Sequence, residues 1–182
     1  MELPPFVRPA IWLVVAIAMA MLQASAAQAQ EFSQILRGYQ IAPVQLNLKG
    51  KDWALVYLGS YLVNTTGCND CHTWPNWADG HNPYLPDQKP EQINTMGYMA
   101  GGRVFLKSDG KTVLAVSANI TPDSTGNPAG LTWREFLQAM RTGHDPKDGD
   151  ILQVMPWPLY KWKTDRDLIA MYEYLRAIPS LP

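Results

Sequence analysis

Cysteine is almost missing from this 182-residue chain: Cys68 and Cys71 are the only two, both in the stretch TTGCNDCHTWP at 65–75. One CxxC pair closes so small a ring that a disulfide there would stabilise little of a domain this size. Charge of one sign is also missing. Fifteen Lys and Arg face sixteen Asp and Glu, a net charge of −1, so no global field steers the protein toward nucleic acid. There is no internal repeat, no low-complexity tract beyond residue 30, and no long apolar run except Ala10–Leu22.

That run has a specific setting. Arg8 precedes it, it is too short for a comfortable membrane span, and the small residues of QASAAQAQ follow. This is the order of a secretory signal peptide, residues 1–29, with cleavage expected after Ala29. Left uncleaved, the same segment would tie the protein to a membrane; in either case the sequence predicts export, to the periplasm or beyond. Residues 30–50 show no clean period and contain Gly38, Pro43 and Gly50, which predicts an extended N-terminal arm. Residues 51–182 suffice for one domain with one core.

What the chain does have is fifteen prolines, thirteen glycines, seven tryptophans and eight tyrosines. These predict short helices, long ordered loops and an aromatic-rich interior. The periodicity predicts a first helix over 51–65, much of its circumference buried and ended by Gly67. Asp109-Gly110 between β-prone runs predicts a hairpin. A second helix starts at Thr132, with Glu135 completing a capping box, and stops at Gly143. A last helix starts at Thr164, with Asp165 and Asp167 at its positive end, and closes before Pro179.

Cys68-Asn69-Asp70-Cys71-His72 admits four chemistries. A structural disulfide suits an exported protein but does little here. A thioredoxin-like pair wants its motif at the head of a helix after a strand, whereas a predicted helix precedes this one. Zinc lacks a regular fourth ligand. Covalent haem attachment needs nothing more: two thiols at i and i+3 reach the two vinyl groups of a porphyrin, and the next residue, His72, offers its imidazole to the iron. A flat apolar disc also explains the loops rich in Trp, Tyr, Pro and Met.

The other face of the iron decides between electron transfer and chemistry on a bound molecule. Met140 and Met171 fall within amphipathic helices, as core residues do. Met96 and Met99 lie in a flexible loop, His144 in a polar turn, and His81 in a loop where local hydrogen bonding is expected. Met155 differs. It sits in LQVMPWP, held extended by Pro156 and Pro158, and prolines lower the entropy of holding a thioether in place.

These residues resemble class I c-type cytochromes, and within them the cytochrome c subunits of bacterial membrane-bound dehydrogenases. The similar segments are GSYLVNTTGCNDCHT, SANITPDSTGNPAGLTWREF, RTGHD and VMPWPLYKWKTDRDLIAMYEYL. The resemblance implies an all-α class I cytochrome c fold, with three to four helices around one covalent haem c and a small β-hairpin insertion. It implies Cys68 and Cys71 as thioether sites, His72 as proximal and Met155 as distal ligand. It also implies a tight crossing of the first and last helices, with Gly59 against Tyr174 and Leu175. Trp157, Asn119 and Arg103 are candidate haem-pocket or propionate contacts, and Lys161, Lys163 and Arg166 a candidate docking patch. The expected function is that of an electron carrier rather than an enzyme, with a dehydrogenase as donor and an oxidase or another cytochrome as acceptor. The competing expectation is a haem enzyme or small-ligand-binding haem protein with an exchangeable sixth site.

Overall fold

Two helices from opposite ends of the domain cross at Gly59. In the computed structural model, which describes residues 7–182, α2 spans Trp53–Thr65 and α6 spans Asp165–Leu175. The start of the expected signal peptide, residues 1–6, lies outside the described residues. Helix α2 starts where the Asp52 carboxylate accepts hydrogen bonds from the Ala54 and Leu55 amides, at 2.9 and 3.2 Å. Helix α6 starts at a reciprocal box between Thr164 and Asp167. Both caps satisfy amides that a helix N-terminus otherwise leaves unpaired.

The crossing is closer than any side chain would allow. A Cβ on Gly59 would lie 1.9 Å from the Ala170 carbonyl oxygen and 2.7 Å from the Tyr174 Cβ. Around it α2 buries Val56, Leu58, Leu62 and Val63, and α6 buries Leu168, Met171, Tyr174 and Leu175. The tight contact implied by the resemblance is therefore present.

Residues 30–41 depart from the extended arm read from the sequence. Helix α1 runs from Val7 to Ile41, and only the stretch after it, through Pro43 to Gly50, is non-helical. Gly38 reads as a helix breaker but is a contact residue. A Cβ there would lie 1.8 Å from the Tyr57 carbonyl oxygen, and its own carbonyl accepts a 2.8 Å hydrogen bond from the buried Ser60 hydroxyl. Ile35 is buried beside it, and Arg166 on α6 holds Glu31 with bonds of 2.6 and 2.8 Å. Among the described residues no helix is long and apolar enough to cross a membrane.

Helix α3, Cys68–His72, is a single turn; α4 spans Trp133–Thr142; α5, Trp157–Tyr160, is again one turn. The described residues thus form six helices, more than the three to four expected, because α1 and the two single turns carry too little periodicity to be read. Helix α4 has the predicted Thr132/Glu135 capping box and ends at Gly143 in the left-handed region, φ 72°. The hairpin pairs β1 (Val104–Leu106) with β2 (Val113–Val116) in antiparallel fashion, Val104 opposite Val116 and Phe105 opposite Ala115. Its turn is organised by the Asp109 carboxylate, which accepts from the Lys111 and Thr112 amides at 2.9 and 2.8 Å. The core is all-α and the hairpin is an addition to it.

Candidate cofactor site

Gly67 adopts φ 83°, a left-handed conformation that lets the chain leave α2 and turn at once into α3. Positions i and i+3 share one face of a helical turn, so Cys68 and Cys71 stand side by side. Both line, with His72, the same largely apolar cavity. Phe105 and Ala115 of the hairpin form one wall, Phe136 and Met140 of α4 another, and Met171 and Leu175 of α6 the back. Met155 and Pro156 line it from a loop, and the charged Asp145 and Lys147, neither singled out from the sequence, also reach it.

The two thiols are free. Burial pushes the Cys68 thiol up to about 11. Burial also raises Cys71, opposed by the Arg103 guanidinium. Both shifts run away from the stabilised thiolate of a reactive redox cysteine. Among the described residues no group of three or more His, Cys, Asp and Glu is placed to hold a metal ion.

His72 is fixed through one ring nitrogen. Its Nδ1 lies 2.8 Å from the Ala118 carbonyl oxygen. A carbonyl only accepts, so Nδ1 carries the proton and Nε2 keeps a free lone pair. Burial holds the imidazole below its ordinary pKa, against the opposing effect of that hydrogen bond. The turn is pinned from behind as well: the Gly101 amide donates to the His72 carbonyl at 2.7 Å, and the Arg103 guanidinium donates to the Asp70 carbonyl.

Asn69, between the cysteines, joins a buried polar ring that the sequence did not disclose. Tyr98 donates to Asn64 Oδ1 at 2.7 Å, Asn64 Nδ2 contacts the Tyr174 hydroxyl at 3.3 Å, and the two phenols are 2.9 Å apart. Tyr98 spends its only proton on Asn64, so Tyr174 donates to Tyr98 and the ring closes in one direction. Asn69 Nδ2 adds a bond to Asn64 Oδ1 at 3.2 Å. The ring ties α2, α6 and the loop after the 3₁₀ turn Thr95–Gly97 to the inside of the cysteine pair. Nothing in local periodicity marks such a network, since its members lie up to 110 positions apart.

The other sulfur and imidazole candidates separate by position. Met140 and Met171 line the cavity from within helices and are 2% exposed, as packed core. Met155 lines it from a loop and is half-buried. Met99 is buried outside the lining, and Met96 is 86% exposed. His81 Nδ1 lies 2.7 Å from the Pro90 carbonyl and His144 Nδ1 lies 2.8 Å from that of Gly149.

Trp157, Asn119 and Arg103 are not among the lining residues. Trp157 fills the space over Gly143, where a Cβ would fall 2.2 Å from its indole. Asn119 clasps the C-terminal segment, donating to the Leu181 carbonyl at 2.9 Å. Arg103 stacks on Trp74 and Phe105, 5.1 and 5.2 Å from their ring centres, so it backs a wall residue. The basic cluster is also partly spent. Arg166 is paired with Glu31, and the Lys161 ammonium lies over Trp162 at 5.1 Å.

No protein-family model matches the chain. Individual proteins do. It is 31% identical over 123 residues to the cytochrome c subunit of the quinone-dependent alcohol dehydrogenase of Gluconacetobacter polyoxogenes, a stretch covering 68% of this chain and 22% of that protein. It is 32% identical over 122 residues to the gluconate 2-dehydrogenase cytochrome c subunit of Pantoea cypripedii, covering 66% and 22%. The alcohol dehydrogenase cytochrome c subunit of Gluconobacter oxydans gives 30% over 123 residues, 68% and 21%. The chain is a distant relative of cytochrome c subunits of bacterial dehydrogenases. It spans about a fifth of the length of the curated relatives it matches.

Proposed function

We propose that this protein is an exported monohaem c-type cytochrome, an electron carrier and not an enzyme. The observation that carries the reading is one largely apolar cavity lined by Cys68, Cys71 and His72 and, from a loop, by Met155. The residues present suit a haem: two adjacent protonated thiols, an imidazole with an unprotonated Nε2, a thioether, and walls of aliphatic and aromatic carbon. Bound there, the haem supplies a one-electron iron couple.

The chain's own residues do the rest. Cys68 and Cys71 are tethers. His72, held by the Ala118 carbonyl, presents Nε2 in one orientation, and that bond raises the basicity of the ring. Met155 contributes a neutral sulfur, and the apolar walls exclude water; both disfavour the more positively charged oxidised state and raise the potential. Trp157 and Arg103 support the site from behind, Trp157 at Gly143 and Arg103 at Phe105. Residues 1–29 serve as the export signal and residues 51–182 as the electron-transfer domain, with a dehydrogenase as donor and an oxidase or another cytochrome as acceptor.

Two measurements test this. Haem stain should survive a denaturing gel in the wild type and be lost in the Cys68→Ser, Cys71→Ser double variant. The oxidised wild type should be low-spin with a Met-sulfur-to-iron charge-transfer band that vanishes in Met155→Ala. A high-spin oxidised wild type would indicate an open sixth site and defeat the carrier reading.

A further inference from the structure

The loop between α4 and Met155 brings charge to a largely apolar lining. After α4 ends at Gly143 the chain turns back on itself: the Leu152 amide donates to the Gly143 carbonyl and the Asp145 amide to the Asp150 carbonyl, both at 2.8 Å. Two acids of this loop are occupied by its own backbone. Asp145 accepts from the Lys147 amide and Asp148 from the Asp150 amide, each at 2.9 Å. Lys147 is exposed, reaches the cavity, and has no ion-pair partner among the described residues.

Three observations select what Lys147 meets. It is the only Lys or Arg in the lining. Arg103, the cation expected there from the sequence, is turned onto Trp74, Phe105 and the Asp70 carbonyl. Other polar side chains of the lining are committed within the protein: His72 and Tyr160 face the Ala118 and Thr66 carbonyls, and Ser117 accepts from the Arg103 amide. That leaves Lys147 and, further along the same loop, the exposed Gln153. A cation and an amide donor at the edge of an apolar cavity suit carboxylates, which are costly to bring there without a partner. A haem carries two, on the half of its ring away from the vinyl groups.

We propose that Lys147 and Gln153 bind the haem carboxylates, Lys147 as counter-charge and Gln153 as a neutral donor. This rests on the haem reading above and deepens it. A positive charge near the iron disfavours its more positive oxidised state, so Lys147 also raises the potential.

The experiment uses haem-loaded, full-length protein. In the reduced state, proton NMR should show cross-peaks from the Lys147 and Gln153 side chains to the methylene groups of the two propionates. Lys147→Gln should shift the one-electron equilibrium toward the oxidised form by roughly two- to five-fold, read as the midpoint potential in a spectroelectrochemical titration. Lys147→Arg keeps the charge and should stay within about 1.5-fold of wild type. Lys49→Gln removes the same charge outside the lining and should also stay within about 1.5-fold. Missing cross-peaks, an unchanged potential in Lys147→Gln, or equal shifts in the two Lys→Gln variants would overturn the assignment. A high-spin oxidised wild type would instead overturn the carrier reading and leave the assignment standing, since the contacts are then read in the diamagnetic carbon monoxide complex. A wild type without covalent haem would overturn both.

Discussion

The Tyr98 hydroxyl is 1% exposed by residue and donates to an amide oxygen on a different helix. Replacing it by Phe keeps the ring volume but leaves Asn64 short of one donor and Tyr174 without an acceptor for its proton. An unmade buried hydrogen bond costs about 1–3 kcal/mol. Tyr98→Phe is therefore expected to lower the unfolding free energy by about that amount in a denaturant titration. Because the ring holds Asn69 between the cysteines, the same variant should also accept haem less completely per polypeptide. At the residue scale, type and spacing single out Cys68, Cys71, His72 and Met155, and all four line one cavity. Trp157, Asn119 and Arg103 were chosen by type alone, and type does not say which way a side chain points; all three support neighbours instead of lining the cavity.

At the scale of elements, two glycines do different jobs. Gly59 sets the distance between α2 and α6, so Gly59→Ala forces the central crossing apart. Overpacking of this kind costs about 1–3 kcal/mol, expected as a loss of global stability together with weaker haem-pocket absorbance. Gly38 sets only the approach of α1 to Tyr57 and Tyr61. Gly38→Ala should leave the absorption spectrum unchanged and raise amide hydrogen exchange in residues 31–41. Equal effects from the two substitutions would contradict this division. Periodicity and caps made α2, α4 and α6 readable, and the Asp109-Gly110 turn made the hairpin readable. The arm was misread for a physical reason: a glycine that breaks an isolated helix is tolerated where a second helix presses against it.

At the scale of the whole molecule, α1 is fastened to the body partly by Glu31 and Arg166. The Arg166 guanidinium holds the Glu31 carboxyl below its ordinary value, chiefly by hydrogen bonding, against a smaller effect of burial. A depressed carboxylate contributes stability that is complete above its unfolded pKa, near 4.5, and is lost as pH falls through the folded one. Both partners are substantially exposed, 58% and 35% by side chain, so the contribution is small, about 0.5 kcal/mol. Stability of the wild type should therefore fall from pH 6 toward pH 3 slightly more steeply than that of Glu31→Gln, with the difference confined to the region below about 4.5. A difference that persisted unchanged at pH 3 would rule out this linkage. The assembly of the cavity was the part least legible in sequence. Its lining comes from eight separate segments between Gly67 and Leu175, and only long-range packing says that they meet.

The Gly59 crossing also has a kinetic meaning. It joins the first and last helices of the domain, so the part of the cavity lining that runs from Gly67 to Tyr160 lies inside one loop of about a hundred residues that this contact closes. Closing so long a loop carries an entropy cost, and contacts of large sequence separation slow folding relative to local ones. On the proposed reading, a chain whose thioethers were already made would start that search with a large apolar surface fixed beside Cys68, and attachment there would itself be an event in folding.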